Sequence, residues 1–113
     1  MPPDCLFCRI VAGEIPSSNV AETESAIAFR DVNPQAPVHV LVVPRAHVSS
    51  LSSAFDPGML GELLSLCRSV AQQEGLEADG YRVVINNGRN AGQAVDHLHL
   101  HVLGGRRLTW PPG

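Results

Sequence analysis

Histidines alternate with apolar residues near the end of the chain. Residues 97–103 read His-Leu-His-Leu-His-Val-Leu, and three of the chain's five histidines lie in this stretch. Successive side chains of a β-strand point to opposite faces, so the pattern predicts a strand with three imidazoles on one face. The apolar positions of the other face, Leu98, Leu100 and Val102, are predicted to meet the core.

Four further stretches predict strands from their β-branched and apolar content. They are residues 20–24, 26–30, 38–43 and 81–86. The first two are close enough to be joined by a tight turn. Residues 38–43 are the most β-branched stretch, which favours a central position in the sheet.

Two segments are predicted to be helical. Asp4 is expected to cap a short helix over residues 5–12, which stops at Gly13. Asp56, with Pro57 in the first helical position, predicts the start of the main helix, and Gly75 its end. The apolar stripe of the main helix is predicted to comprise Leu60, Leu63, Leu64, Cys67, Val70 and Ala71.

Composition limits the class of protein. With 113 residues, 44% hydrophobic and 17% charged, the chain is expected to form one domain over residues 1–113. The formal net charge of −3 argues against nucleic acid as a partner, because binding to phosphate backbones usually needs a basic patch. No apolar run has transmembrane length, and the first residues lack a basic and apolar signal pattern. A cytoplasmic location without membrane contact is therefore expected.

Cysteine spacing raises the possibility of a metal site. Cys5 and Cys8 are three residues apart and would face the same way on a helical turn. Such a pair is found in redox sites and zinc sites, and it also occurs as two buried small side chains. His47 could join them, and two thiolates with two imidazoles would complete a closed tetrahedral zinc site.

The three alternating imidazoles have three interpretations. They could include a nucleophile with a protonated neighbour as proton donor, they could bind a metal ion, or they could form an exposed strand face. Strict alternation on an apolar strand makes the exposed face the least favoured. The preceding segment 87–94 contains Gly88 and Gly92, and its backbone N–H groups could hold a phosphate beside the imidazoles. His39, in the predicted central strand, is by itself more typical of a hydrogen-bonded core histidine.

The histidine pattern resembles the signature of the histidine triad (HIT) family of nucleotide hydrolases and transferases. Gly104-Gly105-Arg106 and the ending Trp110-Pro111-Pro112-Gly113 resemble the histidine triad nucleotide-binding (Hint) branch. The similarity extends from about Asp4 to the C-terminus. It implies an α+β fold with a five-stranded, mainly antiparallel sheet, a long helix and a short N-terminal helix. It also implies a homodimer whose sheet continues across a two-fold axis, with Trp110 able to reach the partner's site.

The resemblance implies a hydrolase that binds purine nucleoside monophosphates and cleaves phosphoramidates or related bonds. His99 would form a nucleotidyl-histidine intermediate, His101 would stabilise charge, and His39 and His97 would orient and polarise the site. Catalysis would need no metal, but a structural zinc ion held by Cys5, Cys8, His47 and His97 is implied by bacterial members. The implied nucleotide contacts are Asp31 for the ribose, Asn86, Gly92, Gln93 and Ala94 for the phosphate, and Leu6, Phe7, Ile15, Phe29 and Val32 for the base.

Two positions depart from the family pattern. Ala94 replaces a serine that is frequent in Hint proteins, which removes a hydroxyl beside the phosphate or leaving group. Asp96 replaces an aromatic or apolar residue, and by alternation it points away from the histidines. Two alternatives therefore stay open: a weakly active or inactive nucleotide- or zinc-binding scaffold, and a dinucleoside polyphosphate hydrolase, against which the Hint-like tail argues.

Overall fold

The computed structural model describes residues 4–113. Its five strands form one antiparallel sheet in the order β1-β2-β3-β5-β4. In chain order the elements are α1 (Leu6–Val11), β1 (Asn19–Glu22), β2 (Ala26–Arg30), β3 (Val38–Pro44), a 3₁₀ turn (Leu51–Ser53), α2 (Pro57–Gln73), β4 (Tyr81–Val84) and β5 (Leu100–Gly104). The predicted α+β class, with five strands, one long helix and one short helix, is confirmed. None of the helices in this part of the chain has the length and apolarity that crossing a bilayer requires.

Both faces of the sheet are covered. On one face, α2 packs on alternate residues of the central strands, including Val40, Val42 and Val102. On the other face, α1 contributes Phe7 to a smaller cluster with Leu41 and other apolar residues. Leu98 and Leu100 belong to the α2 side, so the histidines lie on the opposite face, as the alternation predicted. That face is the one covered by α1.

The main helix begins as predicted. Asp56 is its N-cap and accepts a hydrogen bond from the Gly58 N–H at 2.9 Å. Its buried residues are Leu63, Leu66, Cys67, Val70 and Ala71. The assignment of Leu64 to the apolar stripe was wrong, since this side chain is 51% exposed. It lies about 100° around the helix from Leu63, and Leu66 extends the stripe on the opposite flank.

Four predicted boundaries need correction. The strand β1 runs over Asn19–Glu22 and so ends before the predicted limit of 24. The cap of α1 is Cys5 and not Asp4, because the Cys5 sulfur accepts the Cys8 N–H at 3.3 Å. The strand β4 ends at Val84, before the predicted limit of 86. The strand β5 begins only at Leu100, so the first two triad histidines lie in the segment before it. That segment leaves the ladder because the Leu98 N–H bonds the Val48 carbonyl at 2.6 Å.

Candidate functional site

Histidines from β3, β5 and the segment before β5 lie on the α1 side of the sheet. The ring centroids of His99 and His101 are 5.0 Å apart, and those of His101 and His39 are 5.1 Å apart. His39, His97 and His99 are buried, whereas His101 is partly exposed. The structure therefore brings together the rings of His39, His99 and His101, whereas the ring of His97, the fourth histidine predicted for catalysis, contacts the sulfurs of Cys5 and Cys8.

His99 has a fixed tautomer. Its Nδ1 lies 2.7 Å from the backbone carbonyl oxygen of His97, which can only accept, so Nδ1 carries the proton. The lone pair therefore resides on Nε2, to which the described residues donate no hydrogen bond. Phe7 packs edge-on against the ring with centroids 5.1 Å apart. An imidazole held in this tautomer, with its lone pair on Nε2, has the arrangement that a nucleophile needs.

A chain of hydrogen bonds determines which ring nitrogens of His39 and His101 carry a proton. The Gln35 backbone N–H donates to Nδ1 of His39 at 3.0 Å, which leaves the His39 proton on Nε2. That Nε2–H points to Nδ1 of His101 at 2.9 Å, so the proton of a neutral His101 lies on its own Nε2. Nε2 of His101 is buried without a hydrogen-bond partner among the described residues. Buried donors are rarely left unpaired, so an unpaired N–H beside the ring of His99 is an unusual feature of this group of histidines.

Burial keeps these rings neutral near pH 7. Desolvation lowers the pKa of His101 to about 4, with smaller contributions from His99 and His39. Desolvation also lowers the pKa of His39, and the carboxylate of Asp31, 3.4 Å from its Nε2, opposes this shift. His101 is therefore a neutral hydrogen-bond donor, and the protonated neighbour considered from the sequence does not apply to it.

A cavity of about 760 Å³ opens beside His99 and His101, a volume within the usual range of small-molecule sites. The predicted nucleotide contacts that line it are Leu6, Phe7, Ile15, Phe29, Asp31, Val32, Gly92, Ala94, His99 and His101. Eight further lining residues were not predicted from the sequence: Ile10, Pro16, Ser17, Arg30, Asn33, Gln35, Leu41 and Val95. Strand parity could have identified Leu41, because it lies two residues after His39 on the same face of β3.

Three predicted nucleotide contacts lie outside this lining: Asn86, Gln93 and Trp110. The Gln93 side chain accepts from the Gly88 N–H at 2.9 Å and donates to the Val95 carbonyl at 3.0 Å, so it braces the glycine loop. Trp110 is 81% exposed. Its chain segment is tied to β4 by a 2.8 Å hydrogen bond from Arg82 to the Thr109 carbonyl.

Two thiols and two imidazoles form a second cluster. The sulfurs of Cys5 and Cys8 and the Nδ1 atoms of His47 and His97 all lie within 4.8 Å of one another. The nearest sulfur–nitrogen distances are 3.3, 3.3 and 3.6 Å. Usual zinc bond lengths place sulfur and nitrogen about 3.6 Å apart at the corners of a tetrahedron, so the cluster has the dimensions of a zinc site.

The hydrogen bonding around the cluster also fits a metal ion. Nε2 of His97 lies 2.9 Å from the Pro44 carbonyl and must be the protonated nitrogen, which leaves the Nδ1 lone pair facing the thiols. Burial, with Cys5 as a further cause, raises the pKa of the Cys8 thiol to about 11 in the metal-free protein. A bound cation would reverse this effect by stabilising the thiolate. The ring of His97 is thus committed to this cluster, and only its carbonyl orients His99.

A carboxylate and two imidazoles also converge at Asp31, His39 and His101, within 4.8 Å of one another. The Gln35 N–H leaves the His39 proton on Nε2, the atom that a metal would have to bind. The three side chains therefore interact through the proton on Nε2 of His39, and they form a poor metal site.

The family model described as the HIT domain matches residues 12–108. The chain belongs to the HIT family. Over 112 residues it is 50% identical to the 14 kDa zinc-binding protein of Zea mays. The aligned residues cover 96% of this chain and 87% of the maize protein. The crystal structure of a HIT family hydrolase from Legionella pneumophila superposes with a TM-score of 0.95, at 46% identity, over 97% of this chain and 100% of that one.

Two other solved HIT structures are similar to this chain. The histidine triad nucleotide-binding protein of Candida albicans has a TM-score of 0.84 at 34% identity, covering 96% of this chain and 83% of that one. A zinc-bound histidine triad family protein of Mycobacterium smegmatis also has a TM-score of 0.84, at 31% identity, covering 92% and 76%. This HIT protein therefore has the fold of the family's hydrolases and nucleotide-binding members.

Proposed function

We propose that this HIT protein hydrolyses phosphoramidates of purine nucleoside monophosphates, with His99 as the nucleophile. One observation carries the proposal: the His97 carbonyl holds the proton of His99 on Nδ1, so the Nε2 lone pair is available in the cavity. The unpaired Nε2–H of His101, whose ring lies 5.0 Å away, provides a donor for charge that develops during attack.

The reaction would proceed in two balanced steps. In the first, Nε2 of His99 bonds to the α-phosphorus, the phosphorus–nitrogen bond of the substrate breaks, and the leaving nitrogen takes up one solvent proton to depart as an amine. In the second, water attacks phosphorus, the bond to Nε2 breaks, and one proton is released. Nδ1 keeps its proton throughout, and its 2.7 Å contact with the His97 carbonyl stabilises the cationic ring of the intermediate.

The cavity suits a nucleoside with loose base selection. Its inner wall includes Phe7 and Phe29, which pack edge-on with centroids 5.6 Å apart, and it offers a base mainly apolar contacts. One oxygen of Asp31 accepts the Asn33 N–H at 2.9 Å, which fixes the carboxylate at the cavity edge. Both carboxylate oxygens have further acceptor capacity for the hydroxyls of a ribose.

We further propose that the thiol–imidazole cluster holds a structural zinc ion. Four protein ligands leave no open position for substrate or water, so the ion would supply stability and no step of the reaction. It would join α1, through Cys5 and Cys8, to His47 after β3 and His97 before β5. The names of the zinc-binding maize relative and the zinc-bound mycobacterial protein support this assignment. All three cysteines are free thiols, which supports a reducing cytoplasmic location.

The homodimer remains part of the proposal. In this chain β4 is an edge strand, and a second copy could pair with its free side to continue the sheet. The exposed Trp110 would then be available to the partner's cavity.

The test is single-turnover hydrolysis of adenosine 5′-phosphoramidate with mass spectrometry of the acid-labile adduct. We expect an adduct on His99, and a loss of several orders of magnitude in His99→Ala. His101→Ala loses a charge-stabilising donor and should retain a measurable rate, lower by about 10²–10³-fold. An adduct on another histidine, or an active His99→Ala protein, would refute the assignment.

One observation favours a second function. Ala94 lines the cavity without a hydroxyl for the leaving group, which is what a weakly active nucleotide-binding scaffold would tolerate. A wild-type protein that binds AMP in calorimetry and never turns over would support that alternative.

A further inference from the structure

Arg106 connects the end of β5 to the loop that precedes β3. Its Nη2 donates to the backbone carbonyl of Gln35 at 2.8 Å, and its Nη1 donates to the Arg107 carbonyl at 3.0 Å. The side chain does not line the cavity. Gln35, which does line the cavity, is the hydrogen-bond partner through which Arg106 reaches the site.

The two glycines before Arg106 allow this contact. A Cβ on Gly104 would lie 2.7 Å from the side chain of Leu76, and a Cβ on Gly105 would lie 2.8 Å from Pro37. Gly105 also has a φ of +91°, which other residues rarely adopt. The Gly-Gly-Arg sequence thus lets the chain leave β5 tightly against the loop and delivers the guanidinium to Gln35.

The Gln35 N–H favours one tautomer of His39, and the Asp31 carboxylate, 3.4 Å from Nε2 of His39, favours the same one. The Gln35 N–H donates to Nδ1 of His39 at 3.0 Å, and the resulting Nε2–H of His39 donates to Nδ1 of His101. Without that N–H, His39 could carry its proton on Nδ1 and accept through Nε2. His101 would then donate from Nδ1 and carry its lone pair on Nε2, where the proposed reaction needs a donor.

We propose that Arg106 is a positioning residue that holds the Gln35 N–H on Nδ1 of His39 and so keeps a proton on Nε2 of His101. The guanidinium fixes the Gln35 carbonyl, which limits rotation of the backbone around that residue. The kinetic consequence rests on the proposed function, whereas the tautomer assignment does not.

The direct test is the tautomeric state of His39 and His101, read from the ¹⁵N ring signals of labelled full-length protein near pH 7. In the wild type, both rings should carry their proton on Nε2. We expect Arg106→Met to give a mixture of tautomers at both histidines. Arg107→Met is the matched control, because the Arg107 side chain is exposed and forms no hydrogen bond with the described residues, while its carbonyl is retained.

Kinetics supply the second measurement. Arg106→Met should lower kcat for an adenosine phosphoramidate about tenfold, less than deletion of the His101 donor, because a fraction of molecules keeps the productive tautomer. KM should change less than about twofold, because Arg106 does not touch the substrate. Arg106→Lys, which can still donate to the Gln35 carbonyl, should recover part of the loss, and Arg107→Met should match the wild type.

Wild-type tautomers in Arg106→Met, or equal losses in Arg106→Met and Arg107→Met, would overturn the proposal. If Arg106→Met does not fold, Gln35→Pro is measured instead, since it removes the N–H and keeps the carbonyl that Arg106 binds. An unchanged His39 tautomer in Gln35→Pro would also contradict the proposal. If the tautomers shift as expected but the wild type has no hydrolase activity, the positioning role stands and the proposed function fails.

Discussion

Acidification should destabilise this protein through His101. Its pKa is about 4 in the folded chain, mainly because burial disfavours the charged ring, whereas an unperturbed histidine has a pKa of 6.5. Between these values the unfolded chain binds more protons than the folded chain, so stability falls as the pH falls. The contribution is complete above the unfolded pKa and is lost as the pH approaches 4.

The size of this effect follows from the two pKa values. Protonating the unfolded ring while the folded ring stays neutral removes about 3 kcal/mol of unfolding free energy between pH 7 and pH 4. That is a large fraction of the roughly 5–15 kcal/mol typical of a folded domain. The pKa values of His39 and His97 are also lowered by burial, so they add to the loss in the same direction.

Urea unfolding of the wild type and of His101→Asn, at several values between about pH 4 and pH 7, isolates the His101 contribution. Asparagine can still accept the His39 N–H and does not titrate, while the thiol–imidazole cluster is common to both proteins and cancels in the difference. We expect the variant to lose about 3 kcal/mol less than the wild type on acidification. Equal pH dependence of the two proteins would show that His101 is not held neutral by burial.

Three other predictions concern the metal, the tail and the leaving group. Metal analysis of protein purified without chelator should give about one zinc ion per chain, and Cys8→Ser should lose it together with thermal stability. Less than about a tenth of an equivalent of zinc in the wild type would contradict the zinc site and would mean that Cys5 and Cys8 are only two buried thiols. Sedimentation should show a dimer, and deletion of residues 108–113 should change substrate preference more than stability; a purely monomeric protein would contradict this. Ala94→Ser should raise the hydrolysis rate for amine leaving groups, and an unchanged rate would show that the hydroxyl is dispensable.

Local pattern was sufficient to predict the sides of the sheet. Alternation at residues 97–102 assigned the histidines and leucines to opposite faces, and this remained correct although β5 starts only at Leu100. Face assignment depends on the backbone period alone. The strand boundary depends on which backbone groups are paired, and the Val48 carbonyl that takes the Leu98 N–H is distant in sequence.

The sequence could not predict which ring nitrogen of each histidine carries the proton. Each tautomer is set by one backbone group: the His97 carbonyl for His99 and the Gln35 N–H for His39. Backbone groups occur at every residue, so no residue type marks these contacts. The lowered pKa of His101 likewise depends on burial by parts of the chain that are remote in sequence.

His97 physically connects the proposed zinc cluster to His99, the proposed nucleophile. Its ring faces the thiols through Nδ1, and its backbone carbonyl holds Nδ1–H of His99 at 2.7 Å. Phe7, on the helix that also carries Cys8, packs against the rings of both histidines, with centroids 5.8 and 5.1 Å away. A zinc ion at the cluster would restrain the carbonyl and the aromatic wall at once. The ion would thereby steady the orientation of His99 without contacting the substrate, in the way that groups behind a site hold its reacting atoms in place.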